Sequence, residues 1–295
     1  HGNKRIMRDT IDINSNDNAL FITSQCNNRC VMCCQPPLLR NDLDGYFQKN
    51  MALIDSAPRE LRSLGITGGE PTLLGDRLFE LLRHVRTKLP ETEIHLLTNG
   101  RAFADKEYAR KLAECGEKKI LLGIPLHADS AGDHDTITQV KGSFEETMLG
   151  LYNLGRYDIG IELRVVITKM NYRRLPKLPD FIYRNLPFVE FISLMGLEYT
   201  GYTIKNREAV WIDPMDYQAE LTQAVLELRD WRMDVSIFNL PRCILPKALW
   251  PFAHKSISDW KTQYLDICRE CAEQPECCGL FATSRMQSRG IKVIK

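Results

Sequence analysis

The 295-residue chain lacks a long apolar run, and this absence excludes one class of protein at the outset. No apolar stretch reaches the roughly 18 residues that a membrane-spanning helix requires. The opening segment HGNKRIMRDT is polar and has no apolar core of the kind found in a signal peptide. We therefore expect a cytoplasmic protein with no membrane partner.

A surplus of positive charge is also lacking. The 39 Lys and Arg residues are balanced by 38 Asp and Glu residues, which leaves a formal net charge of +1. The basic residues are scattered and form no long run. Because proteins that bind nucleic acid usually neutralise phosphates with an excess of Lys and Arg, we expect no nucleic-acid partner.

Cysteine, by contrast, is abundant, and nine of the ten cysteines fall into two clusters. A disulfide framework usually spreads its cysteines along a small secreted chain. Short spacings within clusters of an intracellular chain favour metal ligation instead. The ten residues are Cys26, Cys30, Cys33, Cys34, Cys115, Cys243, Cys268, Cys271, Cys277 and Cys278.

Between residues 19 and 200, short apolar runs alternate with amphipathic segments. Each run predicts a strand, and leucines at helical spacing, such as Leu78, Leu81 and Leu82, predict a helix between strands. Six alternations predict parallel strands with right-handed crossovers, in an open doubly wound sheet or a partial barrel. In both, functional groups collect at the carboxyl ends of the strands. The predicted strands are ALFITSQC (19–26), LGITGG (64–69), EIHLLTNG (93–100), KILLGIPLH (119–127), GIELRVVIT (160–168) and PFVEFISLMGLE (187–198).

The alternation stops after residue 198. The segment IDPMDYQAELTQAVLELRDW (212–231) predicts one more helix, with Asp213 as its cap. From Arg242 onward the chain is expected to be loop-like. We therefore divide the chain near residue 205. The predicted parts are an N-terminal extension (1–18), an α/β core (19–205) and a C-terminal helix with a small cysteine-rich domain (206–295).

The first cluster has the spacing C-x3-C-x2-C, formed by Cys26, Cys30 and Cys33. Three thiolates on one short loop can converge on a single inorganic centre. A structural zinc ion needs four ligands, and Cys34, next to Cys33, points away from it in an extended chain. Three soft ligands with one open position suit an iron–sulfur cluster. A zinc knuckle completed by a distant residue is the alternative.

The cysteine motif after the first predicted strand, followed by GGEP (68–71) after the second, resembles the radical S-adenosylmethionine (radical SAM) superfamily over residues 19 to about 200. The resemblance implies a partial (β/α)6 TIM-like barrel and a [4Fe-4S] cluster on Cys26, Cys30 and Cys33. The open iron would bind S-adenosylmethionine (SAM), which is cleaved reductively to a 5′-deoxyadenosyl radical. It also implies an external reductant such as flavodoxin or ferredoxin.

The same resemblance implies contacts with SAM. Glu70 is expected to accept from the SAM ammonium group, although a plain strand-to-helix turn is the alternative for GGEP. His127 and Ser130 follow the fourth strand, where the family often contacts the ribose. No catalytic residue is assigned beyond the cluster ligands. The full set of implied SAM contacts is Met32, Gly68, Gly69, Glu70, Pro71, Thr98, Asn99, His127, Ser130, Arg164 and Met195.

Three of these contacts have alternatives. Met32 stands where many family members carry an aromatic residue near the adenine, and its thioether can make a similar contact. Arg164 either reaches the SAM carboxylate or forms an internal salt bridge, because a buried arginine needs a partner. Met195 either approaches the adenine or is an ordinary core residue.

The second cluster joins Cys243 to a C-x2-C-x5-C motif at Cys268, Cys271 and Cys277. Four thiolates complete a coordination shell for zinc or for a fully ligated iron–sulfur cluster, and the spacing does not separate the two. Beside a radical SAM core, this tail resembles the auxiliary-cluster (SPASM and twitch) domains of peptide-modifying enzymes. The resemblance implies a second [4Fe-4S] cluster, with zinc as the alternative.

Finer motifs resemble the radical SAM maturases of His-Xaa-Ser peptide systems. They are SQCNNRCVMCCQPP, HDTITQVKGSFEET, WPFAHKSISDWK and the CxxC-x5-C-x-G-x-F ending. This resemblance implies a ribosomally made precursor peptide as the substrate. Cys34 and Cys278 depart from the small residues that we expect there. They are accidental substitutions, alternative ligands or substrate-adduct sites, and we take Cys33 and Cys277 as the ligands.

Two other functions remain open. One is radical SAM chemistry on a small molecule or a cofactor precursor. The other is a non-catalytic iron–sulfur or zinc-binding scaffold, which would not bind SAM. Outside the clusters, Cys115 is expected to be a packed core thiol, and His84 and His95 are expected to be surface or internally satisfied histidines.

Overall fold

The computed structural model describes residues 10–15, 17–116, 119–256, 261–284 and 286–295. Most of the predicted N-terminal extension, 1–18, therefore lies outside the described residues, as does the ISDW part of the WPFAHKSISDWK motif. The division of the chain near residue 205 stays a prediction.

A parallel sheet of eight strands organises the described chain, with the strands side by side in chain order. Each neighbouring pair is parallel, which requires a crossover connection between strands. A doubly wound sheet reverses its strand order at a switch point, and this sheet does not. The predicted α/β class with a TIM-like partial barrel is confirmed. The strands are β1 (Ala19–Phe21), β2 (Ser63–Thr67), β3 (Glu93–Leu97), β4 (Ile120–Pro125), β5 (Gly160–Val166), β6 (Phe191–Met195), β7 (Asp234–Phe238) and β8 (Ala253–His254).

Helices cover the outer face of this sheet. Leu78, Leu81 and Leu82 are fully buried, as their helical spacing predicts. Cys115 is also buried in the main core, which confirms its prediction as a packed thiol. None of the described helices has the length and apolarity needed to cross a membrane. The helices are α1 (Leu43–Ser56), α2 (Asp76–Lys88), α3 (Lys106–Ala113), α4 (Ala131–Thr138), α5 (Ser143–Gly155), α6 (Leu178–Asn185), α7 (Tyr202–Lys205), α8 (Arg207–Val210) and α9 (Gln218–Asp230).

Strand β5 shows how the two faces of the sheet differ. Ile161, Leu163 and Val165 are buried against the helices. Their neighbours Glu162 and Arg164 point to the opposite, inner face, because successive side chains of a strand alternate. The inner face of the barrel, which we call the lumen, therefore carries charged groups.

The sheet extends beyond the six strands that the sequence predicts. Strand β7 pairs with β6, and β8 pairs with β7. The expectation of a purely loop-like chain after Arg242 is therefore wrong, since β8 lies in that segment, as does a small antiparallel pair of strands. The latter are β9 (Thr262–Gln263) and β10 (Leu280–Phe281). The alternation of Val235 and Ile237 in DVSIF was the available signal for β7.

Candidate functional site

The three cysteines of the first cluster lie on the loop between β1 and α1, at the carboxyl edge of the sheet. The glycine pair after β2 holds the start of this loop. The Gly69 amide donates to the Thr23 carbonyl oxygen at 2.7 Å, and the Glu70 amide donates to the Gln25 carbonyl oxygen at 2.8 Å. A Cβ atom on Gly69 would collide with Gln25, and one on Gly68 would lie 2.7 Å from the Thr23 oxygen. The glycines are therefore required where β2 meets the cysteine loop.

Glu70 links the ends of β2 and β3 and is 1% exposed. Its Oε1 accepts from the Thr72 amide at 3.0 Å, the Thr72 hydroxyl at 2.7 Å and the Thr98 hydroxyl at 2.6 Å. Its Oε2 accepts from the Asn99 amide at 2.7 Å. Thr98 and Asn99 thus meet Glu70 at one point, as their positions after β3 predict. Since a carboxylate oxygen has two lone pairs, Oε2 has one acceptor direction left for a ligand.

Pro71 begins a 3-10 turn, Pro71–Leu74, with Glu70 as its cap. The interpretation of GGEP as a strand-to-helix turn is therefore correct as local structure. It does not conflict with a binding role, because the carboxylate that caps the turn also reaches β3.

Arg101 is a site residue that the sequence reasoning missed. It follows the TNG turn after β3, and its Nη1 donates to the Asn27 carbonyl oxygen at 3.0 Å and to Asn28 Oδ1 at 2.6 Å. Asn99 Nδ2 also donates to Asn27 Oδ1 at 2.6 Å. A charged residue directly after a strand end was the signal that could have identified Arg101.

The last part of the cysteine loop is held by elements far along the chain. The Val31 amide donates to the Ile137 carbonyl oxygen of α4 at 2.9 Å, and the Tyr202 amide donates to the Cys33 carbonyl oxygen at 2.9 Å. Gly201 has a φ of +58°, and a Cβ there would collide with the Cys33 carbonyl oxygen. The turn at Cys33 is therefore packed directly against the start of α7.

The thiols of this loop are electrostatically coupled and partly buried. Burial raises the pKa of Cys26 to about 11 and the pKa of Cys30 to about 12, and it also raises the pKa of Cys33. The positive charge of Arg101 opposes this effect on the pKa of Cys26 and Cys30. Metal binding must therefore displace protons from these thiols.

The donor set fits an iron–sulfur cluster. Within the described residues, no three His, Cys, Asp or Glu side chains are arranged to hold a single metal ion. A four-iron cluster is larger than one ion, so its thiolates stand farther apart while remaining on one loop. Cys26, Cys30 and Cys33 meet that requirement, since each lies close enough to affect the pKa of another.

Met32 lies within this loop, and His127 and Ser130 follow β4; all three are in packed or capping positions. Met32 is buried with Ile137 in a small apolar cluster. His127 is buried, which lowers its pKa to about 3, so the imidazole is neutral at physiological pH. Ser130 caps α4, and its hydroxyl contacts Asp133 Oδ2 at 2.6 Å. Contacts of these three residues with SAM stay predictions.

Arg164 forms the internal salt bridge that was one of its two interpretations. Its Nη1 lies 3.3 Å from Glu162 Oε2, and its Nη2 lies 3.4 Å from the sulfur of Met195. Glu162 Oε1 also accepts from the Ser193 hydroxyl at 2.6 Å, and His95 Nε2 lies 2.8 Å from Oε2. These residues of β3, β5 and β6 form a polar group in the lumen. His95 thus has an internal partner in Glu162, although its Nε2 makes no hydrogen bond of acceptable geometry.

Burial of Glu162 favours the neutral acid. The contact with His95 and the charge of Arg164 outweigh that effect and hold the pKa of Glu162 below its usual value. The neighbouring residue of β4, Gly123, makes room for the group, because a Cβ there would lie 3.0 Å from both His95 and Arg164.

The cysteines of the second cluster also come together. Cys243, Cys268, Cys271 and Cys277 line one cavity, whose wall includes the tail residue Lys292. Hydrogen bonding from Cys278 lowers the pKa of Cys277 to about 6. Burial raises the pKa of Cys243. The pKa of Cys278 is also raised, first by its hydrogen bond to Cys277. Cys278 is absent from the described lining of the cavity.

An arginine also stands beside the second cluster. Arg242 Nη1 lies 2.6 Å from Glu273 Oε2, and the Arg242 side chain stacks over Trp250 with 5.7 Å between its Cζ atom and the ring centroid. Its charge and a backbone hydrogen bond act on Cys277 and favour the thiolate. The four thiols line one cavity beside this cation, and within the described residues they too are not arranged around a single metal ion.

The chain forms a partial parallel barrel and carries three coupled thiols on the loop after its first strand. This combination defines a class of protein that holds an iron–sulfur cluster at the open end of the barrel. Residues 20–182, more than half of the chain, match the family model described as the Radical SAM superfamily. The chain belongs to the radical SAM superfamily.

Curated relatives share only part of their length with this chain. The Fe-coproporphyrin III synthase of Methanosarcina barkeri is 32% identical over 59% of this chain and 43% of that protein. The GTP 3′,8-cyclase of Campylobacter jejuni subsp. doylei is 26% identical over 78% of this chain and 71% of that protein. The chain thus spans less than half of the first relative.

Solved structures support the fold. The crystal structure of Streptococcus suis SuiB bound to S-adenosylmethionine has a TM-score of 0.58, at 18% identity over 74% of this chain and 49% of that chain. The structure of anSMEcpe with bound AdoMet and Cp18Cys peptide has a TM-score of 0.54, at 21% identity over 74% of this chain and 62% of that chain.

Proposed function

We propose that this protein is a radical SAM enzyme that cleaves SAM reductively and uses the 5′-deoxyadenosyl radical to abstract hydrogen from a ribosomally made peptide. The observation that carries the proposal is the loop of Cys26, Cys30 and Cys33, held against the GGEP turn with its thiols coupled. Its three ligands would leave one iron of a [4Fe-4S] cluster open to SAM. That cluster supplies the electron for cleavage when it is reduced by flavodoxin or ferredoxin.

Residues of this chain bind and orient the cosubstrate. Oε2 of Glu70 has an acceptor direction left for the SAM ammonium group. Arg164, steadied by Glu162, keeps donors for the SAM carboxylate, since a guanidinium has five N–H groups. Met32 lies in the cysteine loop, between Cys30 and Cys33, and provides an apolar contact for the adenine.

The second site is proposed to hold an auxiliary [4Fe-4S] cluster in a SPASM or twitch-like domain. Its support is the single cavity lined by Cys243, Cys268, Cys271 and Cys277. Four thiolates close the coordination shell, so this site would not bind SAM. It would accept an electron from the substrate radical or order the tail. Zinc is the alternative occupant by donor chemistry, since four thiolates suit it, although the described thiols are not arranged around a single ion.

Two observations support a peptide substrate. The structural neighbours include SuiB bound to its precursor peptide SuiA and anSMEcpe with a bound peptide. The second thiol site lies next to the barrel, as expected for the auxiliary domains of peptide-modifying enzymes. Within this class, we propose a maturase of the His-Xaa-Ser type.

A small-molecule substrate is the second candidate function. It is favoured by the names of the curated relatives, which include a GTP 3′,8-cyclase and an Fe-coproporphyrin III synthase. The same SAM cleavage would serve either substrate class, so the first half of the chemistry does not separate them.

Anaerobic reconstitution followed by product analysis tests the proposal. We expect about eight irons per chain and, with dithionite and SAM, 5′-deoxyadenosine in the mass spectrum. Cys33→Ser should abolish this product, and Cys34→Ser, the matched control, should retain it. A wild-type protein that binds zinc in the first loop, or that never forms 5′-deoxyadenosine, contradicts the proposal.

A second assay separates the substrate classes. The enzyme is incubated with peptides encoded beside its gene, and with GTP and a porphyrin as the small-molecule comparison. A mass change in a peptide supports the maturase. Turnover of a small molecule, with no peptide altered, favours the second candidate.

A further inference from the structure

Arg101 donates hydrogen bonds to the part of the cysteine loop that lies between Cys26 and Cys30. Its Nη1 donates to the Asn27 carbonyl oxygen and to Asn28 Oδ1, and both residues lie between Cys26 and Cys30 in the chain. The Asn28 amide in turn lies 3.4 Å from the sulfur of Cys26. One guanidinium nitrogen therefore fixes the backbone bend that presents the first two thiols.

The guanidinium is itself held in place from the opposite side. Its Nε lies 2.6 Å from Glu146 Oε2 on α5, and the Arg101 side chain is only 13% exposed. The Arg101 amide also donates to Asn99 Oδ1 at 3.0 Å, which ties the start of the residue to the end of β3. Arg101 thus connects α5, β3 and the cysteine loop through hydrogen bonds and an ion pair. Its planar guanidinium keeps these donors in a fixed geometry.

The position of this charge has an electrostatic consequence. A cluster gains a negative charge when it is reduced, so a fixed cation beside its ligands stabilises the reduced state. Two described carboxylates act on this region: Glu146 pairs with the guanidinium, and Glu70 acts on the pKa of Cys26 in the opposite sense. Glu70 is already occupied by four hydrogen bonds from neutral donors, which spread its charge.

We propose that Arg101 is a positioning residue for the radical SAM centre, which orders the Cys26–Cys30 bend and raises the reduction potential of the cluster that it holds. The inference rests on the proposed function only in assuming a [4Fe-4S] cluster on this loop. It does not depend on the substrate. It assigns two separable roles to one side chain, which are the hydrogen-bonding fork and the positive charge.

Three variants separate the two roles. Arg101→Lys keeps the charge and loses the fork, Arg101→Gln loses both, and Glu146→Gln keeps the arginine but releases its anchor. Arg184→Gln is the matched control, because it removes an exposed arginine that pairs with Asp180 on the surface of α6. All proteins are reconstituted anaerobically at full length, and folding is checked by circular dichroism.

Two measurements are made without substrate. The first is iron retained after gel filtration. The second is an EPR-monitored redox titration of the cluster signal that changes when SAM is added. We expect Arg101→Gln to lose about half of its first-site iron and to show about tenfold less reduced cluster at a fixed potential, which is a shift of about 59 mV for one electron. Arg101→Lys should lose iron while its potential stays near that of the wild type. Glu146→Gln, which removes the carboxylate that pairs with the guanidinium, should lose some iron and raise the potential.

The outcomes are decisive in both directions. The proposal would be overturned if Arg101→Gln left both the iron content and the reduction potential unchanged. It would also be overturned if Arg184→Gln changed them as much as Arg101→Gln does. If Arg101→Gln does not fold, iron loss in Arg101→Lys with a preserved potential supports it, and two unchanged values in both Arg101→Lys and Glu146→Gln reject it. Failure of the proposed function would appear differently, as wild-type protein with normal iron and potential but no 5′-deoxyadenosine or no modified peptide.

Discussion

Gly69 lies so close to Gln25 that the end of β2 and the start of the cysteine loop leave no room for a side chain between them. The two segments are joined by the hydrogen bond from the Glu70 amide to the Gln25 carbonyl oxygen. The GGEP turn therefore shapes the loop that carries the thiols, in addition to any contact that it makes with a cosubstrate. This relationship leads to the first of four predictions.

Gly69→Ala should displace the cysteine loop. The added methyl group meets backbone atoms, which cannot move aside as a flexible side chain can, so we expect a loss of about 1–3 kcal/mol in the free energy of unfolding. Iron retention should fall with it. Gly45→Ala is the control, because a Cβ at Gly45 meets nothing within 4 Å. Urea denaturation and iron analysis measure both effects, and equal behaviour of the two variants would contradict the prediction.

Glu70→Gln should weaken the junction of β2 and β3. The carboxylate accepts four hydrogen bonds, and an amide nitrogen in place of either oxygen would face donors such as the Asn99 amide. Leaving such a buried group unsatisfied costs about 1–3 kcal/mol. Affinity for SAM, measured by calorimetry on reconstituted protein, should fall as well. Glu91→Gln, which changes an exposed carboxylate, should leave both quantities near the wild-type values.

Cys277→Ser and Cys278→Ser should differ although the residues are neighbours. Cys277 lines the cavity of the second site with three other thiols. We expect its loss to lower the iron content from about eight to about four per chain. Cys278→Ser should keep the second metal. Iron loss in Cys278→Ser with retention in Cys277→Ser would show that the ligand assignment is reversed.

In the metal-free protein, the thiols should react with an alkylating reagent in a definite order. The pKa of Cys277 is lowered to about 6, first by the hydrogen bond from Cys278, so this residue is mostly thiolate at pH 7. Cys26 and Cys30, with pKa values raised by burial to about 11 and about 12, stay protonated. Iodoacetamide should therefore modify Cys277 first, and below pH 6 its rate should fall about tenfold per pH unit.

Peptide mapping by mass spectrometry gives the order directly. Replacing Cys278 by Ala removes the donor to Cys277, so the pKa of Cys277 should rise and its modification at pH 7 should slow. Modification of Cys26 or Cys30 ahead of Cys277 would contradict the lower pKa of Cys277.

The strands and their functional edge were predictable because they depend on local patterns. Alternating apolar runs identify β2 through β6, and the first cysteine motif follows β1 directly. The contacts of Arg101 with Asn27 and of Glu162 with His95 were not predictable in this way, because they join residues from different strands and loops. Strand β7 was not predicted because it is short and follows a helix in the part of the chain where the regular alternation has ended.

The hydrogen bond from Tyr202 to Cys33 has a consequence for how the protein acquires its metal. The two residues are separated by most of the barrel sequence, so the cysteine turn gains this support only after strands β1 to β6 have come together. Contacts of such long sequence separation form late, because the intervening chain must first be ordered. We therefore expect iron to be delivered to this loop after the barrel has folded, and we do not expect the metal to nucleate folding.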